Sequence, residues 1–253
     1  MEMEYTGGLG EYLSLASAIA SEIPQAHEPA VALLHDIDTC WRAAVLPLSD
    51  GLAPTSNILY MQSFYHWLAG VQMAFSGNAT ATYPVLRASL EAGCYAYLLH
   101  ADEDVRNVWL QQDTNPEATK LVKRRFNSAV SSTAERLHGA QPGLATLITS
   151  LYEASITFGA HPNPRSTLDH LGEFVTRDDG KIEVRFTALN AANSLNTTRA
   201  ICAAVEHGLA NACLAWMAVP KSDAATAVAK AIGALYARKD AIYPLDASKD
   251  DSA

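Results

Sequence analysis

The sequence has little charge, few cysteines and none of the short signatures that mark the commonest catalytic classes. Charged residues make up 18% of the 253, against 49% hydrophobic ones. That ratio excludes wholesale disorder, because such a chain has ample apolar surface for a core. Its four cysteines, Cys40, Cys94, Cys202 and Cys213, form no CxxC pair. In apolar helical text they read as buried free thiols of a reducing compartment, not as a disulfide framework. There is no HExxH, no GxxxxGK[ST] and no GxSxG, which removes the standard zinc, phosphate-loop and serine-elbow signatures. Gly7, Gly8 and Gly10 follow no strand and make no dinucleotide fingerprint. No metal and no cofactor is expected. These absences leave open catalysis by residues that converge only in space.

No run reaches the roughly 18 uninterrupted apolar residues of a membrane span. The opening MEMEYTGGLG lacks the basic-then-apolar order of a secretory leader. A cytoplasmic protein without membrane contact is the expectation. The net charge of −9 disfavours nonspecific attraction to phosphates, while leaving room for a local basic site.

What is present is helical text, rich in Ala and Leu. Helices are expected over 11–23, limited by Pro24, and over 29–45, with Pro29 in the first turn and Pro47 beyond the end. Met61, Phe64, Tyr65, Leu68, Val71 and Phe75 follow the spacing of one buried helix face. The segment 82–100 is apolar nearly all round and reads as the central helix of a bundle. Asp102 is placed to cap a short acidic helix. Further helices are expected over 116–138, from Pro142 to about 161, and over 188–217 and 223–237. Between them, 173–186 alternates apolar and polar residues around Asp179-Gly180, a hairpin signal. The fold class expected is all-α: a single-domain multi-helix bundle over 1–253, with one small β-hairpin insertion near 173–186 and a flexible acidic tail over 245–253.

Four constellations could carry chemistry. Arg87 and Glu91 stand one turn apart on the face continued by Cys94 and Leu98, and so are expected to point into the bundle. They read either as a buried ion pair that fixes helix packing or as a catalytic or anion-binding pocket that also uses Tyr95. The helix end FGAHPNPR carries His161, Asn163 and Arg165. His161 either caps that end or reaches across to the central helix. Arg165 and His170 have the loose spacing of a ribonuclease pair. Lys120, Lys123, Arg124 and Arg125 read as a solvated helix face or as an RNA or acidic-partner contact. His66, His100, His138 and His207 lack metal-like spacing and read as core or helix-terminal residues.

The text YPVLRASLEAGCYAYLLH, followed by DED and a Trp, and the later helix end SITFGAHPNP together resemble a bacterial family of the HEPN clan. The resemblance covers about residues 55–170. It implies an all-α bundle, often a homodimer, sometimes tied to phage defence or toxin–antitoxin systems, with RNA or a nucleotide as its contact. Carried over by position, Arg87, Glu91 and His161 form the matching set, with Tyr95, Asn163 and Arg165 beside it as ligand contacts. The Arg-x4–6-His motif of that clan is missing from the late helices. Two other readings stand beside it: a non-catalytic module that dimerises or holds a protein partner, and a small-molecule-binding bundle with its pocket at Arg87 and Glu91.

Overall fold

The computed structural model describes residues 8–48, 51–160, 171–176 and 180–244. The expected tail at 245–253 lies outside them. Helix α1 (Leu9–Ala26) is followed by α2 (Glu28–Cys40), a π-helical turn (Trp41–Val45) and α3 (Leu46–Leu48). Then come α4 (Pro54–Phe75), α5 (Ala79–Ala101), α6 (Glu103–Leu110), α7 (Pro116–Phe126), α8 (Ala129–His138) and α9 (Pro142–Ser155). A second π-helical turn (Ile156–Ala160) extends α9, and α10 (Leu195–Ala218) and α11 (Asp223–Ile242) close the order. The protein is all-α in class. Strands β1 (Leu171–Thr176) and β2 (Ile182–Phe186) pair antiparallel, with Thr176 opposite Ile182.

Local chemistry sets most boundaries. Asp102, Asn115, Ser194 and Ser222 each accept a backbone N–H of their helix's first turn, satisfying donors that have no partner inside the helix. Several expected limits shift. Pro24 lies inside α1 instead of ending it. Pro47 also stays helical; it has no N–H to give to Ala43, and the turn before it widens so that Leu46 N–H bonds to Trp41 O. The helix expected over 116–138 breaks at Asn127-Ser128 into two. The late helix starts at Leu195, because Ser194 caps it and the Thr197 hydroxyl bonds back to Ala191 O at 2.8 Å.

The core is one continuous cluster from Ile19 to Leu235. Helix α5 is central as expected, packed by α4, α8, α9 and α10. It shares that role with α10, whose buried positions surround its axis. By length and composition α10 could cross a membrane, but 72% of its most apolar window is buried inside the fold, so its hydrophobic surface is used in packing. The buried face of α4 is Leu59, Tyr60, Ser63, Phe64, Trp67, Gly70 and Ala74. This corrects the expected stripe: Met61 and Tyr65 are exposed. The helix turns its small residues inward because they let α5 and α10 approach closely.

Glycines permit this closeness. A Cβ on Gly208 would come within 2.7 Å of the Trp67 indole nitrogen, and one on Gly93 within 2.7 Å of Asn211 Oδ1. Three buried aromatics donate to carbonyls of α10: Trp67 to Ala204 at 2.7 Å, Trp41 to Gly208 at 3.1 Å and Tyr60 to Leu214 at 3.1 Å. Such bonds remove the penalty of burying an indole N–H or a phenol. Arg238 pairs with Asp36 on the outside and the buried Lys239 with Glu206 (3.7 Å), tying α11 to α2 and α10.

Candidate functional site

Arg87 and Glu91 form the expected pair, with Nε to Oε1 at 2.9 Å. They do not point into the core: the side chains are 23% and 35% exposed. The correction has a plain cause. Cys94 and Leu98, on the same face, are buried, and the Thr133 hydroxyl of α8 reaches Cys94 O at 3.5 Å. At Arg87, Tyr152 of α9 supplies the cover. The guanidinium lies 4.7 Å from the Tyr152 ring centre, and Nη2 donates to the Tyr152 hydroxyl oxygen at 2.9 Å. Glu91 and Tyr152 thus hold the guanidinium in one orientation at the surface.

Tyr95 continues the stripe one turn on. Its ring meets Phe126 edge-on at 4.8 Å, and its hydroxyl donates to Phe126 O at 3.4 Å. Burial, then the Glu91 carboxylate, pushes its phenol above the usual range, so it is a donor at neutral pH. His161, Asn163, Arg165 and His170 lie outside the described residues. The described chain before them ends on the π-helical turn against the start of α5. Pro84 lacks the N–H that would bond Thr80 O, and Gly159 packs there: a Cβ on Gly159 would come within 2.2 Å of that carbonyl. Phe158 stacks on Tyr83 at 5.3 Å. Tyr83 is one turn before Arg87.

The remaining candidates separate. Lys120, Lys123, Arg124 and Arg125 are all exposed on α7, a solvated face whose last-turn cations suit the helix dipole. His138 is exposed at the end of α8. His100 accepts the Ala53 N–H at 3.5 Å, and burial, then Arg106, lowers its pKa. His207 is fully buried. Its Nδ1 lies 2.8 Å from Ala203 O and its Nε2 3.4 Å from Ser155 Oγ, and burial depresses its pKa to about 4. A serine beside a neutral histidine has the ingredients of a nucleophile. This pair is sealed, and the Ser155 hydroxyl is already bonded to Leu151 O at 2.8 Å, so it serves packing.

Among the described residues no group of three metal-ligating side chains assembles. All four cysteines are free; Cys94 is buried, whereas Cys40, Cys202 and Cys213 are half-buried, which corrects the expectation that all are buried. Burial raises every one of them, Cys94 and Cys202 to about 12 and Cys213 to about 11.

Sequence reading passed over two clusters. One is the buried set Ser63, Ser89 and Asn211. His207 and Asn211 stand four apart in the apolar second half of α10. The other is a pocket lined by Thr80, Tyr83, Phe158, Asn190, Asn196 and Arg199, which nothing in the spacing of these residues announces.

Comparison with known proteins gives no match: no protein-family model, no curated protein and no solved structure aligns with this chain. The functional reading therefore rests on its own residues.

Proposed function

We propose that this is a HEPN-like helical protein acting in bacterial stress or phage defence through contact with RNA or a nucleotide, made along the outer stripe of α5. The observation that supports this reading is the Arg87 guanidinium. It is half-exposed and held in one orientation by Glu91 and Tyr152, one turn from the aromatic pair Tyr83–Phe158. An oriented, partly exposed arginine offers a fixed fork of donors and a charge to a phosphate. In this reading Arg87, Glu91 and His161 act on the ligand, with Tyr95, Asn163 and Arg165 in contact with it. The hairpin is an addition to the plain bundle, the compartment is the cytoplasm, and the assembly is a homodimer.

The test is anisotropy of a labelled single-stranded RNA at fixed salt, together with RNA degradation. Arg87→Gln is expected to weaken binding about tenfold, the size of one charged contact. His161→Ala and Arg165→Ala are expected to abolish cleavage. Binding equal in wild type and Arg87→Gln removes the contact, and cleavage no faster than buffer removes the nuclease.

One observation favours a second reading, a module that works by pairing. Ile58, Met61 and Tyr65 are 63%, 42% and 58% exposed along one face of α4. A second copy covering them would make Tyr65→Lys monomeric in sedimentation equilibrium.

A further inference from the structure

Helices α8 and α9, joined by residues 139–141, form a helical hairpin. Its inner face buries Leu137, Ile148 and Leu151, and both helices pack on α5. Its outer face is an open groove of about 480 Å³, with Glu135 and His138 of α8 on one side and Thr146, Thr149 and Ser150 of α9 on the other. Apart from Glu135 and His138, no lining side chain is charged or larger than threonine. Thr146 and Thr149 donate within their own helix, to Pro142 O at 3.1 Å and Ala145 O at 3.0 Å. The groove therefore offers two strong ligand groups, a carboxylate and an imidazole.

Glu135 and His138 stand three apart on α8, so they share one face with Cβ atoms about 5–6 Å apart. At that spacing both can grip one ion at the bond lengths of about 2 Å that zinc takes to nitrogen and oxygen. Both side chains are exposed, and neither makes a hydrogen bond, ion pair or ring contact among the described residues. Arg136, between them in sequence, is engaged with Asp102 at 2.8 Å. Counting histidines alone hides this pair, because its second ligand is a glutamate. Among the described residues no third metal-binding side chain joins them, whereas a closed zinc site takes four. A twofold axis through the groove supplies the same two from a second copy, since a twofold interface pairs one surface with itself. Two hairpins meeting this way make a four-helix bundle, an arrangement that builds metal sites from facing Glu-x-x-His pairs. The small side chains of the groove let the helices approach to about 8 Å. The same smallness denies the interface a large apolar area, so the ion has to hold it.

We propose that Glu135 and His138 are half of a tetrahedral zinc-type site, completed by Glu135 and His138 of a second copy of this chain. The ligand is a divalent transition ion that accepts nitrogen and oxygen donors. Magnesium and calcium, which take oxygen ligands, do not suit a pair of imidazoles. The site is independent of the RNA contact, and it lies on a different helix from the exposed Ile58, Met61 and Tyr65 of α4.

Sedimentation equilibrium of the full chain, stripped with a chelator and then titrated with zinc chloride, tests it. Zinc is expected to double the mass seen in chelator, at one ion per two chains, and magnesium chloride to leave that mass unchanged. Glu135→Gln and His138→Ala should each abolish the doubling and weaken zinc binding about tenfold or more, because each removes a ligand from both copies. Melting temperatures of both variants in chelator should match wild type, since the two side chains are exposed and unpaired. Tyr65→Lys should leave the zinc-driven doubling intact; its loss in that variant would move the interface to α4 and overturn the placement. Unchanged mass in zinc, doubling that survives both ligand substitutions, one ion per chain, or the same doubling in magnesium overturns the site.

Discussion

Asn211 of α10 donates through Nδ2 to the Ser89 hydroxyl of α5 at 2.9 Å, and Ser89 donates onward to the Ser63 carbonyl of α4 at 2.7 Å. The three residues are fully buried, and the chain of bonds joins the three helices that carry most of the core. A buried polar network of this kind specifies one register, because sliding any helix by a turn would leave its members unpaired.

Asn211→Ala should therefore lower stability by about 1–3 kcal/mol, through the lost bond to Ser89 and a small void, although Ser89 keeps its bond to Ser63 O. For a chain of this size that is a fall of about 2–4 °C in melting temperature per kcal/mol. An unchanged melting curve would show that the network contributes nothing.

Arg87→Ala should be milder than removal of one partner from a buried pair. Both side chains keep solvent access, so Glu91 is rehydrated when its partner goes. The loss should be about 1–2 kcal/mol, combining a screened ion pair with the Tyr152 ring contact. Urea unfolding measures it. A drop of roughly 3–5 kcal/mol, as for an uncompensated buried charge, would contradict the half-exposed geometry.

His207 sets a pH dependence. Its folded-state pKa is depressed to about 4 by burial, while in the unfolded chain it titrates near 6.5. Between those values the unfolded state binds a proton that the folded state refuses, so stability is lost as pH falls from about 6.5 towards 4. The loss is on the order of 3 kcal/mol. Urea midpoints at pH 7, 5.5 and 4.5 should fall more steeply for wild type than for His207→Gln. Parallel slopes would mean that the imidazole is accessible to protons in the fold.

Thiol reactivity should be low in the native state. Burial raises Cys94, Cys202 and Cys213 to between about 11 and about 12, which leaves almost no thiolate at pH 8. A thiol-disulfide reagent should modify these residues far more slowly in buffer than in guanidinium. Equal rates in the two would show that the helices open freely.

The helical class, the caps at Asp102 and Asn115 and the central place of α5 were legible because they depend on spacing and on short-range bonds. The rotation of α4 was not: Met61 and Tyr65 share an apolar stripe with Phe64, yet the small residues Ser63, Gly70 and Ala74 face the core, because close approach of α5 outweighs the apolar area of a methionine and a tyrosine.

The sequence by itself determined where helices form and that Arg87 and Glu91 pair, since both follow from neighbours within a few residues. Only the tertiary structure decided what covers that pair. Cys94 is sealed and Arg87 is not, although they share a face: Thr133 of α8 reaches the Cys94 backbone, while Tyr152 of α9 lies over the guanidinium and leaves it partly exposed. Tertiary packing also decided that Arg199, Asn190 and Tyr83, more than a hundred positions apart at the extremes, wall one cavity. Burial and convergence depend on contacts between distant segments, and helical periodicity carries no information about those.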